Sequence, residues 1–261
     1  MAHTRTPLGQ HFLKNNHYAR ILAQSVHASA GDSILEIGPG KGILTRELLA
    51  TGARVVAVER DAELLPILAE TFSVEIATGQ LALVHDDVRN FLPASHGLEA
   101  GKYSLAANIP YYITGEIIRM FLTTDTYPKN ISLLIQKEVA RRIIDTKESL
   151  LSLSVKVYGT PKIIATVSRG NFSPPPQVDS AIIAITDISK KKLGDVSEEK
   201  FFQLLHAGFA AKRKMLAGNL RAIADDAKII PALEAAGIAP KSRAEDIAVG
   251  QWLVLTKALS L

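Results

Sequence analysis

The chain of 261 residues contains no cysteine, which excludes disulfide bonds and metal sites built from thiolates. It also has no apolar stretch near 18 residues, so the sequence predicts no membrane-spanning helix. Residues 1–20 lack the apolar core of a secretory signal peptide. We therefore expect a cytoplasmic protein that does not span a membrane, and we also predict no metal site.

What the chain does contain is a regular alternation of two patterns. Hydrophobic residues make up 47% of the sequence, which is enough for a proper core. Short apolar runs alternate with segments of helical spacing as far as residue 145. The predicted strands are 33–37, 54–59, 81–84, 103–107 and 131–136, and the predicted helices are 15–28, 41–50, 61–72, 114–123 and 137–145. This order predicts an α/β fold with a mostly parallel sheet that is covered on both faces.

The remainder of the chain has a different pattern. Three β-like runs are predicted to close the sheet: Leu151–Tyr158, Ile163–Val167 and Ala181–Thr186. Residues 187–197 are polar and charged, which is typical of a linker. From Glu198 onwards the spacing is helical, with breaks expected near Lys212, Pro231 and Pro240. We therefore predict an α/β domain over residues 1–187 and a smaller all-α domain over residues 188–261.

The tetrapeptide Asn108-Ile109-Pro110-Tyr111 follows the predicted strand 103–107. Ligands of open α/β sheets bind just beyond the carboxyl ends of strands. An Asn amide, a Pro-stiffened backbone and a Tyr ring together suit a planar group that carries an exocyclic amine. Methyltransferases that modify an amino nitrogen carry this signature, although a simple turn would use the same residue types.

A glycine-rich turn, Gly38-Pro39-Gly40-Lys41-Gly42, follows the predicted strand 33–37 and precedes a helical segment. Glycines let the backbone approach a ligand closely. A dinucleotide-binding turn would have a small residue in the slot that Ile43 occupies. The spacing therefore favours S-adenosylmethionine over NAD as the ligand.

Two further strand ends carry acids. Glu59 ends the strand 54–59, where an acid accepts hydrogen bonds from the two hydroxyls of a ribose. Asp86 and Asp87 follow the strand 81–84, and an acid there can bind the amino group of the cofactor adenine. Taken singly, each acid also fits a solvated loop or a helix cap.

Basic residues are unevenly placed, although the net charge is only +4. Residues 1–30 contain no acid, and two basic runs occur at Lys190–Lys192 and Lys212–Lys214. Such runs suit the phosphate backbone of a nucleic acid. The run Lys190–Lys192 fits a solvated linker better, whereas Lys212–Lys214 fits a helix surface and an RNA contact equally well.

In this order, the motifs resemble those of the ribosomal RNA adenine dimethyltransferase family over almost the whole chain. The matching elements are Gln10–Leu13, Glu36–Gly42, Glu59, Asp87, Asn108–Thr114, Gln136–Arg142, Phe172–Ser180, Phe209–Leu220 and Arg243–Glu245. The family's single adenine-binding acid aligns with either Asp86 or Asp87, and the small apolar residue that follows favours Asp87. His11 stands where many members of the family have Asn.

The resemblance implies a Rossmann-like class I methyltransferase fold with a small all-α C-terminal domain that binds RNA. It also implies transfer of methyl groups from S-adenosylmethionine to N6 of two adjacent adenosines near the 3′ end of small-subunit ribosomal RNA, in an assembling subunit. We expect a monomer. The implied catalytic residues are Asn108, Ile109, Pro110, Tyr111 and Phe172, with Tyr111 and Phe172 covering the two faces of the target base. The implied cofactor-binding residues are His11, Leu13, Gly38, Gly40, Glu59, Asp87 and Asn108.

Three alternatives remain open. A large-subunit ribosomal RNA adenine methyltransferase of the macrolide-resistance type would share the fold and the Asn-x-Pro-Tyr loop. A DNA adenine methyltransferase would need a separate target-recognition region, for which the chain has little room. A catalytically idle ribosome-assembly or transcription factor with the same fold would have no need of an intact glycine turn, Glu59 and Asn108.

Overall fold

The computed structural model describes residues 11–259. Its strands are β1 (Phe12–Leu13), β2 (Ser33–Ile37), β3 (Arg54–Glu59), β4 (Leu81–His85), β5 (Tyr103–Asn108), β6 (Asn130–Gln136), β7 (Thr160–Val167), β8 (Phe172–Ser173) and β9 (Ser180–Thr186). Its helices are α1 (Asn16–Gln24), α2 (Ile43–Leu49), α3 (Leu64–Thr71), α4 (Ser73–Ala77), α5 (Thr114–Thr123), α6 (Lys137–Ile144), α7 (Leu150–Lys156), α8 (Glu198–Gly208), α9 (Leu216–Leu220), α10 (Asp226–Ala235) and α11 (Val249–Ala258).

A seven-stranded sheet has the order β4-β3-β2-β5-β6-β9-β7. The pairings among β2, β3, β4, β5 and β6 are parallel, whereas β9 is antiparallel to both β6 and β7. Consecutive residues of β2, β3 and β5 are buried. Because side chains alternate between the faces of a strand, both faces of the central sheet are covered. The predicted mostly parallel sheet is therefore confirmed.

A separate two-stranded pairing joins the beginning of the described chain to a later segment. Strand β1 pairs antiparallel with β8, so that Leu13 lies opposite Phe172. Both side chains belong to the main hydrophobic core cluster, which also contains Leu22 of α1 and Leu48 of α2. Burying side chains of this size stabilises the fold by roughly 1.5–3 kcal/mol each. The segment preceding α1 is thus fixed to the core.

The chain divides into two compact units. The last segment of the first unit ends at Ile188, next to the boundary predicted between residues 187 and 188. The segment Arg141–Gly159 belongs to the second unit rather than the first. Within that unit, the Glu148 N–H donates to the Glu245 carbonyl over 2.8 Å, and Lys147 forms an ion pair with Asp246. The functional division at residues 187 and 188 stays a prediction.

Two local predictions are wrong. The run Leu151–Tyr158 is not a strand, because α7 occupies Leu150–Lys156. Ser149 and Ser152 form a capping box that begins this helix, so local hydrogen bonds override the alternating pattern. The helix also does not break at Pro231, which lies inside α10. Residues on both sides of the proline, Ile229 and Leu233, are buried and stabilise the helix despite the lost hydrogen bond.

Candidate active site

The candidate site lies at the carboxyl ends of the central strands, where β2 and β5 are neighbours. Strands β3 and β4 lie on one side of this pair and β6, β9 and β7 on the other, so the chain order reverses here. Ligands of open parallel sheets bind at such a reversal. Two adjoining cavities open at this place, and both are lined by Gly38, Glu59, Ile109 and Pro110.

Most of the predicted site residues meet at these cavities. The first cavity is lined by His11, Leu13, Gly38, Gly40, Glu59, Asn108, Ile109, Pro110 and Tyr111. Asp87 lines the second cavity together with Asp86. Phe172 lines neither of the two. Gln10, which belongs to the same N-terminal motif as His11, lies outside the described residues.

The glycine turn has the backbone conformation that its composition predicts. Gly38, Gly40 and Gly42 have φ values of 66°, 59° and 80°, in the left-handed region that side chains disfavour. A Cβ atom at Gly42 would lie 2.5 Å from the ring of Phe72. At Gly38 a Cβ atom would meet no protein atom within 4 Å. Because Gly38 lines both cavities, its bare backbone leaves space for a ligand.

Glu59 connects the glycine turn to the end of β3. Its side chain is buried, and Oε2 accepts a hydrogen bond from the Gly40 N–H over 3.0 Å. Oε1 accepts a second hydrogen bond from the Asp61 N–H over 2.8 Å. Each carboxylate oxygen has a further lone pair, so Glu59 can accept additional donors from a ligand in either cavity.

Glu36 is a buried acid to which the sequence analysis assigned no role of its own beyond the matching element Glu36–Gly42. It lies in β2 and is 1% exposed. Burial and, to a smaller extent, the negative charge of Glu59 raise the pKa of Glu36 to about 8. At pH 7 the Glu36 carboxyl is therefore mostly protonated. The signal in the sequence is an acid enclosed in an otherwise apolar strand.

Two arginines that the sequence analysis did not single out surround Asp87. Arg60 Nη1 lies 3.4 Å and Arg89 Nη1 3.6 Å from Asp87 Oδ2, and Arg89 also pairs with Glu116 over 2.9 Å. Asp86 Oδ1 accepts a hydrogen bond from the Asp87 N–H over 2.7 Å. Both acids line the second cavity, so the choice between them as the adenine-binding acid stays open.

Asn108, the last residue of β5, has its amide fixed by the N-terminal segment. Its Nδ2 donates to the His11 carbonyl over 3.3 Å. Asn108 lines the first cavity. Among residues 11–259, no protein group donates a hydrogen bond to its Oδ1. The side-chain oxygen is therefore available to accept a hydrogen bond from a ligand amine.

The ring of Tyr111 is held at the wall of the first cavity. Its Oη shares a hydrogen bond of 2.6 Å with Ser180 Oγ, and its ring centroid lies 5.7 Å from that of His11. His11 Nδ1 in turn donates to the Pro174 carbonyl over 2.8 Å. Burial raises the pKa of the Tyr111 phenol, so the hydroxyl stays protonated at neutral pH.

Phe172 does not lie where the resemblance implies. Its side chain is 1% exposed and packs in the core cluster with Leu13. The backbone pairing of β8 with β1 fixes this position. The structure thus brings Tyr111 to the first cavity, whereas Phe172 lines neither of the two cavities. Tyr112, the neighbour of Tyr111 in the segment after β5, is 65% exposed and lines the second cavity. The sequence analysis assigned no role to this aromatic residue.

Comparison with known proteins supplies the family. The sequence model of the ribosomal RNA adenine dimethylase family matches residues 1–260. A curated relative from Dehalococcoides mccartyi, named ribosomal RNA small subunit methyltransferase A, is 36% identical and covers 96% of this chain and 87% of its own length. A relative of the same name from Trichormus variabilis is also 36% identical, with full coverage of both chains. The chain belongs to the ribosomal RNA adenine dimethylase family.

Solved structures agree with this family membership at the level of the fold. The 23S rRNA methyltransferase ErmE has a TM-score of 0.78 at 25% identity, over 96% of this chain and 100% of its own. A dimethyladenosine transferase from Plasmodium falciparum has a TM-score of 0.79 at 22% identity, over 94% and 96% of the two chains. The expected class I methyltransferase fold is confirmed, and such a fold in this family implies a methyl donor of the S-adenosylmethionine type.

The two basic runs, Lys190–Lys192 and Lys212–Lys214, differ in the contacts that their side chains form within the protein. Lys190 forms an ion pair with Glu198 over 3.1 Å, and Lys192 Nζ donates to the carbonyls of Lys156 and Gly159. The side chains of Lys212–Lys214, in an exposed loop between α8 and α9, form no such contact with the residues that the structure describes. Asn219 Nδ2 holds the base of this loop by donating to the Gly208 and Ala211 carbonyls over 2.5 and 3.1 Å.

The length and hydropathy of the helices bear on the expectation that the chain has no membrane span. Within residues 11–259, no helix is both long enough and apolar enough to cross a bilayer.

Proposed function

We propose that this protein transfers methyl groups from S-adenosylmethionine to N6 of two adjacent adenosines near the 3′ end of small-subunit ribosomal RNA, and dimethylates each. The observation that carries the proposal is the Oδ1 of Asn108, to which no group of residues 11–259 donates, in a cavity that the glycine turn and Glu59 also line. Membership of the ribosomal RNA adenine dimethylase family and the names of its relatives support the substrate.

The residues of the two cavities fit S-adenosylmethionine. Glu59 lines both cavities and accepts hydrogen bonds from the ribose hydroxyls. Gly38 and Gly40 allow the ligand to approach the backbone, and His11 and Leu13 close over it. Asp87, or its neighbour Asp86, binds the adenine amino group. When bound, the cofactor supplies a methyl group that its sulfonium has already activated.

The protein's own contribution is to hold the target amine. The N6 lone pair of adenine is delocalised into the ring, so the amine must be oriented for attack. Asn108 Oδ1 and the Ile109 carbonyl each accept one N6–H, and Pro110 fixes the direction of that carbonyl. As the nitrogen gains positive charge, these acceptors bind it more tightly, which stabilises the transition state selectively. Orientation supplies most of the remaining rate.

Tyr111 stacks on one face of the target base. A base that has left its stack is commonly held against aromatic side chains, and the Tyr111 ring is anchored at the cavity wall. We do not assign the opposite face to Phe172, because that side chain is buried in the core. No strong general base is required, because the product ammonium is acidic enough to release its proton to water or to a carbonyl.

The helical domain contributes RNA binding. The run Lys212–Lys214 is exposed on a loop that Asn219 holds in place. Lysine and arginine side chains of this kind bind RNA phosphates. We infer that the protein acts on an assembling small ribosomal subunit in the cytoplasm, as a monomer.

The decisive experiment is methyl transfer from labelled S-adenosylmethionine into isolated small and large ribosomal subunits. We expect N6,N6-dimethyladenosine at two adjacent positions near the 3′ end of the small-subunit RNA, identified by mass spectrometry of nuclease fragments. Methylation confined to large-subunit RNA would instead support the large-subunit alternative, which the fold of the 23S rRNA methyltransferase ErmE keeps worth testing. Calorimetry that detects no S-adenosylmethionine binding would favour the non-catalytic alternative.

A further inference from the structure

The hydrogen bond between Tyr111 and Ser180 joins the target-base pocket to the sheet. Ser180 is the first residue of β9 and is fully buried. Its backbone is paired with Gln136 of β6 on one side and with Val167 of β7 on the other. A hydroxyl in this position has little freedom to move. The 2.6 Å contact with Tyr111 Oη therefore fixes the far end of the tyrosine ring to a rigid element.

The residue before Ser180 strengthens this anchor. The Asp179 carbonyl accepts a hydrogen bond from the Lys137 N–H over 3.0 Å. Asp179 Oδ1 accepts another from the Arg169 N–H over 3.1 Å. The chain is thus fixed immediately before it reaches Ser180.

The same segment supports the tyrosine from a second direction. The Pro174 carbonyl accepts a hydrogen bond from His11 Nδ1, and the His11 ring lies against the Tyr111 ring at 5.7 Å. Residues 174–180 therefore restrain Tyr111 both through its hydroxyl and, by way of His11, through its ring. This restraint gives the Phe172–Ser180 motif a role that does not require Phe172 to reach the base.

We propose that Ser180 is a positioning residue, which holds the Tyr111 ring at the angle at which it stacks on the target adenine. The proposal rests on the proposed function, because it takes Tyr111 as the stacking residue. Without the hydrogen bond, the ring can tilt and rotate about its side-chain torsions, and the N6 lone pair is less often aligned with the methyl group. Loss of alignment lowers turnover more than binding.

The test compares Ser180→Ala, Tyr111→Phe, the double variant and a matched control. Ser132→Ala is the control, because Ser132 is a fully buried serine of the same sheet whose hydroxyl has no partner among the described residues. Losing one neutral hydrogen bond corresponds to a fall in kcat of about three- to tenfold for either single variant. The KM for S-adenosylmethionine should not change, and Ser132→Ala should behave as wild type.

The double variant separates positioning from a general loss of packing. If Ser180 acts only through the Tyr111 hydroxyl, the double variant is no slower than the slower single variant. Effects of the two changes that multiply would overturn the proposal, as would wild-type turnover of either single variant.

A second measurement does not depend on the substrate. In protein labelled with 13C-tyrosine, the Tyr111 ring signal is assigned as the one that Tyr111→Phe removes. We expect this signal to shift and sharpen in Ser180→Ala, because the ring then flips faster, and to stay unchanged in Ser132→Ala. An unchanged signal in Ser180→Ala overturns the proposal even if kcat falls. If the Tyr111 signal changes in Ser180→Ala but the wild-type protein does not dimethylate small-subunit RNA, only the proposed function is contradicted.

Discussion

At the scale of single residues, the side-chain amide of Asn108 has two separate contacts to make. Its nitrogen binds the His11 carbonyl, and its oxygen is proposed to bind the target amine. Asn108→Ala removes one of the two proposed acceptors and lets the amine rotate. Loss of a preorganised polar contact of this kind costs roughly 2.7–4 kcal/mol of transition-state stabilisation. We expect turnover to fall by about 10²–10³ in a methyl-transfer assay with small ribosomal subunits.

Asn130→Ala is a suitable control for that experiment. Asn130 begins β6, at the opposite end of the sheet from Asn108, and its amide donates to the Val26 carbonyl over 3.4 Å. Its removal should leave turnover unchanged. Affinity of Asn108→Ala for S-adenosylmethionine should fall far less than turnover, because Gly38, Glu59 and Asp87 remain. Near-normal turnover of Asn108→Ala would refute its proposed role.

Glu36 gives a prediction about stability and pH. Its pKa is about 8 in the folded protein, against 4.5 for an unperturbed glutamate. Between these values the folded state holds a proton that the unfolded state has released, so the free energy of unfolding decreases as pH rises. Glu36→Gln removes this contribution. In urea unfolding, we expect the free energy of unfolding of the variant to increase relative to that of wild type by on the order of a few kcal/mol between pH 5 and pH 8. If the free energies of unfolding of the two proteins changed with pH in parallel, the raised pKa of Glu36 would be contradicted.

Residues differ in how well sequence alone predicts their place. Gly38, Glu59 and Asn108 were predictable because each stands at the end of a recognisable strand, and strand ends of a parallel sheet meet at one edge. Phe172 was not, because its position depends on the long-range pairing of β1 with β8. Arg60 and Arg89 approach Asp87 from different loops, and no local pattern predicts such a meeting.

At the scale of elements, burial on both faces made the parallel strands easy to predict, since continuous apolar runs such as β3 and β5 have few alternatives. Helix α7 shows the limit of this reasoning. Its alternating serines and apolar residues are typical of a strand, but the capping box of Ser149 and Ser152 begins a helix there. Local hydrogen bonds thus decided between two structures that the apolar pattern allowed.

The end of α8 gives a prediction about packing. Gly208 lies against Trp252, which stacks on Phe209 at 5.9 Å. A Cβ atom at Gly208 would lie 2.4 Å from Trp252 Cη2 and 3.0 Å from Leu216 Cδ1. Gly208→Ala should therefore lower the free energy of unfolding by about 1–3 kcal/mol, as overpacking does elsewhere, measured by urea denaturation.

Gly218→Ala is the matched control for this packing effect. Gly218 lies inside α9, and a Cβ atom there would meet nothing within 4 Å. Alanine is the better helix former, so this variant should be neutral or up to about 1 kcal/mol more stable. Equal effects of the two substitutions would show that Trp252 can move aside without cost.

At the scale of the whole molecule, the net charge of +4 does not show which basic side chains are already paired within the protein. Many basic side chains are already paired within the protein, among them Arg20 with Glu47, Lys102 with Glu99 and Arg221 with Asp226. The sequence favours a solvated linker for Lys190–Lys192, yet Lys190 and Lys192 bind other groups of the protein. Sequence composition alone does not show which basic side chains bind other groups of the protein.

Changing Lys212, Arg213 and Lys214 together to alanine should weaken RNA binding and reduce its dependence on salt. Each lost phosphate contact lowers the slope of log affinity against log salt by about 0.9 for a duplex and about 0.7 for a single strand. Binding of S-adenosylmethionine should not change. The control replaces the paired Arg20, Lys102 and Arg221 by alanine, which alters the net charge equally. A slope that falls equally in both triple variants would mean that net charge, rather than the α8–α9 loop, governs RNA binding, and an unchanged slope in the first would place the RNA elsewhere.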